Sequence, residues 1–387
     1  MIALGIDRLF SERFDLVRGR RVGLYTNLSA VSANLAPSYI RFTLAKDTTL
    51  AALFSPEHGI DGAASAGESV SSRVDDAAHV PIYSLYGEAY KPTASMLRGL
   101  DVVVCDIQDV GVRFYTYIWT LSYILDACAE EGIPVVVCDR PNPLGGQVVQ
   151  GPGVQRGFES FVGRFDVPIR HGLTIGEMAQ LLNAECLAKP ADLTVIPCSG
   201  WRRALCFPQT GLPWAAPSPG LPHFANLEHY SGACLVEGTN LSEGRGTGFV
   251  FQVVGAPFVG AVTLADRLNA LDMPGVRFRP IVFRPCASKH AGADCAGAMA
   301  HVTDPAAYNP ITTWLAVLRE VMITYPGQAD WLPPRGGRHH FDLLIGNGWV
   351  RQALLDEAAD VRALADQWAS AEADFRARRA PYLLYDE

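Results

Sequence analysis

The first 150 residues alternate short apolar runs with amphipathic stretches. Arg21–Thr26 (RVGLYT), Leu50–Phe54 (LAALF), Asp101–Cys105 (DVVVC) and Pro134–Cys138 (PVVVC) are rich in β-branched residues and almost continuously apolar. That is the pattern of strands covered on both faces. Between them, Pro37–Lys46 and Tyr115–Glu131 carry helical spacing. In the second stretch Trp119, Tyr123, Ile124 and Ala127 recur at i, i+4, i+5 and i+8, and Gly132 stands where a helix would stop. Strand and helix repeated in this order predict an α/β fold with a Rossmann-like, doubly wound parallel sheet over residues 1–150.

From about Gly151 the texture changes to proline and glycine punctuation, as in PCSGW (Pro197–Trp201) and GLPWAAPSPGLP (Gly211–Pro222). A smaller mixed α/β C-terminal domain over 151–387 is the simplest expectation. Thr174 followed three residues later by Glu177 has capping-box spacing and predicts a helix start. Leu193–Ile196 and Ala233–Glu237 read as strands, Ile311–Ile323 as a helix, and Val350–Arg378 as one or two terminal helices. No repeat of 20 to 50 residues is present.

Composition narrows the function. The 387 residues are 49% hydrophobic and 19% charged, with 32 Lys+Arg against 40 Asp+Glu and a formal net charge of −8. Such a chain buries a sizeable core, and without a Lys/Arg-rich run it lacks the basic footprint that nucleic acid or an anionic membrane surface requires. Met1–Phe10 lacks a basic start and an apolar core for a secretory signal, and no segment approaches the roughly 18 to 20 apolar residues of a membrane span. Nine cysteines without a CxxC pair, several inside runs such as VVVCD, read as small buried hydrophobes in a reducing compartment. The expected location is the cytoplasm, or the periplasm or exterior if a leader has been trimmed. Nothing in the pattern specifies an oligomeric state.

In an open α/β sheet the ligand crevice lies outside the carboxyl ends of the strands. The residues following three of the apolar runs are polar: Ser55-Pro56-Glu57-His58-Gly59 and Ala66-Gly67-Glu68, then Asp106-Ile107-Gln108-Asp109 to Arg113, then Asp139-Arg140-Pro141-Asn142. Three strands thus deliver Glu57, His58, Asp106, Gln108, Asp109, Arg113, Asp139, Arg140 and Asn142 to one rim. Within this group Asp106 with Arg113 is a candidate structural pair, and Asp139 with Arg140 a candidate cap. No G-x-G-x-x-G follows the first strand, and no Walker, G-x-S-x-G, H-x-H or H-E-x-x-H motif occurs. Neither a nucleotide cofactor nor a metal is therefore expected. In the second domain the densest polar segment is Glu237-Gly238-Thr239-Asn240-Leu241-Ser242-Glu243-Gly244-Arg245-Gly246-Thr247. Its Asn240, Glu243 and Arg245 suit a hydroxyl-rich or carboxylate-bearing ligand, with a tight structural turn as the alternative. Trp201, Trp214 and Phe224 are candidate sugar platforms or core residues.

At these segments the sequence resembles the NamZ-type exo-β-N-acetylmuramidases. The matching stretches run in order through nearly the whole chain: FSPEHGIDG with AGE, YSLYG, KPT, DIQDVGVRFYTY, DRPNPLGG, VPIRHGLTIGE, TGLPW with PSP, EGTNLSEGRGT and YLLY. The resemblance implies a Rossmann-like domain joined to a smaller α/β domain with the active site in the cleft between them. It further implies release of N-acetylmuramic acid from the non-reducing end of peptidoglycan fragments in cell-wall turnover or recycling, without metal or nucleotide. By the same resemblance Glu57 of the PEHG segment matches the catalytic carboxylate, with Glu68 of AGE as the rival.

A glycosidase needs a protonated acid at the leaving oxygen and a second group that answers the oxocarbenium-like charge. Glu57 suits the acid. Glu68, Asp109 and Glu243 are candidates for the second role, as is the substrate's own acetamido oxygen oriented by Asp109. Arg245 and Arg113 are candidates for the lactyl carboxylate of muramic acid, and His58, Gln108, Asn142, Glu237 and Asn240 complete the expected binding set. Glu57 and Arg245 are expected to be exposed, with Val102, Val104, Val135 and Val137 buried. Departures from the family pattern are Gly248-Phe249-Val250-Phe251-Gln252 in place of Thr-Arg-Pro-Phe-Glu, Asp61 in place of an arginine, and Gly220-Leu221-Pro222-His223 in place of Asn-Met-Pro-Thr. They leave open a glycosidase for another 2-acetamido sugar or a non-catalytic amino-sugar-binding protein.

Overall fold

The computed structural model describes residues 2–76, 78–356 and 360–387, which form two compact units. The first unit is built on seven strands: β1 (Arg21–Tyr25), β2 (Thr49–Ser55), β3 (Arg73–Val74), β4 (Pro81–Ser84), β5 (Val102–Cys105), β6 (Val135–Cys138) and β7 (Leu193–Ile196). Their spatial order is β3-β4-β2-β1-β5-β6-β7, parallel throughout except that β3 runs antiparallel to β4. Counted in chain order, the six parallel strands lie 3-2-1-4-5-6, the doubly wound order of the Rossmann fold. The order reverses between β1 and β5, so the crevice such a sheet offers opens at their carboxyl ends. Every residue of β5 and β6 is buried, including Val102, Val104, Val135 and Val137, as the apolar runs predict.

Five helices cover this sheet: α1 (Gly5–Ser11), α2 (Ser38–Leu44), α3 (Ala94–Leu97), α4 (Tyr117–Glu131) and α5 (Ile175–Glu185). Helix α4 stops where expected, with Gly132 left-handed (φ 69°) and its N–H bonded to the Cys128 carbonyl. Helix α5 opens with the predicted capping box between Thr174 and Glu177. Because β7 pairs with β6, the sheet extends well past residue 150. The first unit comprises the residues through Val148, then His171–Pro222 and Ala377–Glu387, and the second comprises Val149–Arg170 and His223–Arg376. A single cut near residue 150 therefore describes only one of the points at which the chain changes unit.

The second unit contains α6 (Phe224–Ala233), β8 (Val253–Ala256), α7 (Ala261–Ala270), β9 (Val276–Phe283), β10 (Cys295–Val302), α8 (Pro310–Thr324), α9 (His340–Ile345), α10 (Trp349–Ala353) and α11 (Val361–Asp366), together with most of α12 (Ala369–Arg379). Its sheet is antiparallel, with β10 between β8 and β9. The strand expected at Ala233–Glu237 is instead a 3₁₀ turn over Cys234–Gly238 that continues α6. Cys234, Leu235 and Val236 are all buried, and a short, continuously apolar run fits a buried helical turn as well as a strand. The helix at Ile311–Ile323 is present as α8, capped by Asn309 accepting from the Thr312 N–H. Val350–Arg378 resolves into α10, α11 and α12, with residues 357–359 of that stretch outside the described residues.

The first unit is fastened by a wholly buried ion pair: Arg203 Nη1 donates to Glu177 Oε1 at 2.6 Å, both side chains fully shielded. The same Glu177 oxygen accepts the Leu384 N–H at 2.8 Å, and Arg203 Nη2 donates to the Gly146 and Gly172 carbonyls. Removing one member of such a pair strands the other charge in the interior. Arg203→Met is therefore expected to destabilise this unit by about 3–5 kcal/mol, measured as a lower urea midpoint of the full chain.

Candidate active site

The carboxyl edge of the parallel sheet holds four buried acids with very different surroundings. Asp106, directly after β5, is fully buried and clasped by Arg140, with Nε to Oδ1 at 2.7 Å and Nη2 to Oδ2 at 2.8 Å, while the Ser38 hydroxyl donates to Oδ2. The partner of Asp106 is thus Arg140 rather than Arg113, because the parallel pairing of β5 with β6 sets the two loop starts side by side. Asp139, after β6, accepts from the Thr174 hydroxyl (2.7 Å), the Gly176 N–H (2.7 Å), its neighbour's Arg140 N–H (2.9 Å) and the Tyr385 hydroxyl. Burial raises its carboxyl to about 6 against those donors. Both acids are structural fastenings.

Glu57 follows β2, 9% exposed rather than open to solvent as expected. Its Oε1 accepts the Gly67 N–H at 2.9 Å and its Oε2 the Thr116 hydroxyl at 2.7 Å. These two donors shield the carboxylate and fix both of its oxygens. His58 beside it is buried and left-handed (φ 72°), with Nδ1 2.7 Å from the Ala64 carbonyl. A non-glycine residue in that region is strained, and such strain gathers at functional sites. Glu68 is exposed and accepts the N–H of Ser65 within its own turn.

Asp109 is 4% exposed. Its Oδ2 accepts the Gly111 N–H at 2.7 Å, whereas its Oδ1 is buried without a hydrogen-bond partner. Desolvation raises its carboxyl to about 7, with the Gly111 and Val110 N–H groups opposing the shift. His171, which the sequence reading leaves unassigned, is fully buried with Nε2 3.9 Å from Asp109 Oδ2. The signal that could have found it is its place in the VPIRHGLTIGE segment, just before the α5 cap. Gln108 spends its amide on the Asp109 and Pro141 carbonyls (2.7 and 3.2 Å). Asn142 donates to the Leu173 carbonyl and accepts the Leu144 N–H, both at 2.9 Å. Gly111 is left-handed (φ 77°), and a Cβ there would lie 2.2 Å from Asn142 Oδ1, so the turn that presents Asp109 requires glycine. Arg113 is fully buried, and its charge, with that of Arg379, helps hold His171 neutral. Trp201 is core, packed edge-on to Tyr385, while Trp214 lines a small pocket with Ser29, Gln108 and Arg140.

The polar segment of the second unit closes largely on itself. Arg245 donates through Nε and Nη2 to Glu237 Oε1 (3.0 and 2.6 Å) and lies 3.4 Å from Glu243 Oε1, while Lys289 Nζ lies 2.7 Å from Glu243 Oε2. Against the desolvation of burial, the Arg245 charge, joined by His340, holds the Glu237 carboxylate down to about 2. Asn240 donates to the Gln328 carbonyl and accepts the Asp330 N–H. A Cβ on Gly246 (φ 79°) would meet the Ala287 N at 2.5 Å, so that glycine serves a backbone-to-backbone approach inside the protein. In the divergent Gly248–Gln252 stretch, Phe251 is buried against Tyr230 with the Arg245 guanidinium 5.1 Å from its ring centre. Arg245 retains about a fifth of its side chain exposed.

Two family models together cover nearly the whole chain. The family model described as the N-terminal part of the exo-β-N-acetylmuramidase NamZ matches residues 22–225, and that of the C-terminal part matches residues 228–385. The chain belongs to the NamZ family. One NamZ relative, the peptidoglycan β-N-acetylmuramidase NamZ of Bacillus subtilis strain 168, is 41% identical over 384 residues, covering 99% of this chain and 91% of that protein. Two solved structures of DUF1343-family proteins from Bacteroides fragilis share the NamZ architecture seen here. The first aligns with a TM-score of 0.91 at 36% identity, the second with 0.78 at 29%, each covering 100% of this chain and 99% of the other. Among the described residues of this NamZ member, no helix is long and apolar enough to cross a membrane, and no three His, Cys, Asp or Glu side chains gather as a metal site.

The Asp109 carboxyl has a testable effect on stability. Its folded pKa lies above the ordinary 3.8, so ionising it costs free energy in the fold that the unfolded chain does not incur. Its contribution lowers stability as pH rises from about 4 through 7, as does that of Asp139 up to about 6. His171, lowered to about 3, acts oppositely and costs stability as pH falls below its ordinary 6.5. Asp109→Asn removes one of these contributions alone. Urea melts should show the variant more stable than wild type at about pH 8, by an amount on the order of 4 kcal/mol, with the gap closing near pH 4.

Proposed function

We propose that this protein is an exo-acting glycoside hydrolase that releases N-acetylmuramic acid from the non-reducing end of peptidoglycan fragments. The observation that carries the reading is the 41% identity, over nearly the whole chain, to a protein named as a peptidoglycan β-N-acetylmuramidase. In this reading Glu57 is the general acid. The Thr116 hydroxyl 2.7 Å from its Oε2 can donate to the ionised carboxylate or accept from the protonated one, so it orients Glu57 before and after proton transfer.

Asp109 is the proposed second carboxyl group. It is buried, its proton is held to about pH 7, and one oxygen has no hydrogen-bond partner among the described residues. Its rivals are otherwise engaged: Glu68 is exposed and bonded within its own turn, and Glu243 is paired with Lys289 and Arg245. As the glycosidic bond breaks, the leaving oxygen takes the proton of Glu57 while Asp109, in its ionised form, answers the charge developing on the sugar, directly or by orienting the acetamido group; water then bonds to the anomeric carbon and its proton returns to Glu57.

Release of 4-nitrophenol from the β-N-acetylmuramic acid glycoside, compared with the β-N-acetylglucosamine glycoside, tests the reading. Wild type should turn over the muramic glycoside preferentially, and Glu57→Gln should reduce kcat by about 1,000-fold. Equal turnover of both glycosides would defeat the sugar assignment, and an active Glu57→Gln variant would defeat that of the acid.

A further inference from the structure

His171 is held in one protonation state and one orientation by its own backbone surroundings. Its Nδ1 accepts the Leu173 N–H at 3.1 Å, so in the neutral ring the hydrogen sits on Nε2. Burial and the nearby charges of Arg379 and Arg113 push its pKa down to about 3, which keeps the ring neutral at ordinary pH. Arg379 Nη1 in turn grips the backbone on both sides of the next peptide, donating to the His171 carbonyl at 2.9 Å and the Gly172 carbonyl at 2.7 Å. The imidazole is therefore pre-set, with an N–H donor aimed away from the α5 turn.

That donor has no partner among the described residues. His171 Nε2 is buried without a hydrogen bond, and it stands 3.9 Å from Asp109 Oδ2, beyond bonding distance. Asp109 Oδ1 is also buried and unpartnered, while Oδ2, the oxygen 3.9 Å from Nε2, accepts the Gly111 N–H and has room for a second donor. A buried donor or acceptor left unmade costs about 1–3 kcal/mol, so one on each of two neighbouring side chains calls for a reason. A movement of about 1 Å would bring Nε2–H to the ordinary N–H···O separation. The hydrogen bond so formed would favour the ionised carboxylate over the protonated one.

We infer that His171 is a positioning residue acting through Asp109, its Nε2–H closing on the Asp109 carboxylate when that group carries negative charge in the reaction. The inference rests on the reading of Asp109 as the second carboxyl group. The charged and titratable groups about the pair are Arg113 and Arg379 on the histidine side, and Tyr25 and Tyr117, whose hydroxyls feel the Asp109 charge, on the carboxylate side.

Two substitutions separate this role from a structural one. In His171→Asn the side-chain oxygen keeps the acceptor for the Leu173 N–H and the distal N–H is lost. In His171→Gln an N–H is kept near the Nε2 position and the acceptor is lost. With the muramic acid glycoside as substrate, His171→Asn should lower kcat by about 100-fold with KM little changed. It should also move the acid limb of the kcat/KM profile upward by about one pH unit, while His171→Gln stays near wild type in both. The reverse order, with His171→Asn normal and His171→Gln impaired, would overturn the inference and make the residue a turn support. Should His171→Asn not fold, His171→Gln decides alone: wild-type kcat and pH profile support the role, and a loss of about 100-fold at an unchanged Tm overturns it. Asp109→Asn keeps the failures apart. If it is inactive while His171→Asn is normal, only the histidine's role falls; if it turns over like wild type, the assignment of Asp109 falls, and the histidine's role with it.

Discussion

The cost of holding carboxylates out of water governs the organisation of the first unit. A parallel sheet collects the residues after its strands along one edge, and here that edge carries Glu57, Asp106, Asp109 and Asp139, all buried. Each needs compensation, and the compensation is graded. Asp106 receives a full guanidinium and a hydroxyl, and Asp139 receives four donors. Glu57 receives one donor per oxygen, while Asp109 has backbone N–H groups and a free oxygen. Saturated acids stiffen the scaffold, and the least saturated ones retain capacity for a substrate. Arg140 and Tyr385 thus take up the bonding capacity of Asp106 and Asp139.

Much of the fold was legible because the physics behind it is local. Four-residue apolar runs gave β5 and β6, Thr174 with Glu177 gave the start of α5, and Gly132 gave the end of α4. What escaped depends on partners distant in sequence. The 3₁₀ turn at Cys234–Gly238 and a buried strand share the same apolar signature, and only the packing of α6 decides between them. Strand β9 carries alternation that is interrupted at Pro280, and β10 is made largely of small residues, so neither stands out without its neighbour.

The candidate site was legible as a set of residues and not as a set of roles. Glu57 and Asp109 follow strands of one parallel sheet at the same edge, a placement that the apolar runs foretell. Whether Asp106 meets Arg113 or Arg140 depends on which loops the sheet sets side by side, and no spacing rule contains that. His171 lies 62 residues from Asp109 in sequence, and its importance rests on a tautomer fixed by the Leu173 N–H. In the other direction, the glycines and charges of Glu237–Thr247 suggested an open ligand loop, whereas most of those charges answer one another and Gly246 admits the backbone of residue 287.

The stitching of residues 377–387 into the first unit bears on how the molecule is made. The Tyr385 hydroxyl donates to Asp139 and accepts the Cys198 N–H, Leu384 bonds Glu177, and the Asp386 carbonyl accepts the Arg203 N–H. A ribosome delivers β1 to β6 early, then must emit all of residues 223–376 before these last contacts exist. During that interval Asp139 and Glu177 lack donors that the finished fold supplies, although all seven strands of the sheet have already been made. Unlike a domain encoded in one uninterrupted stretch, this one is both the first to begin and the last to finish, so its maturation is timed by the synthesis of its neighbour.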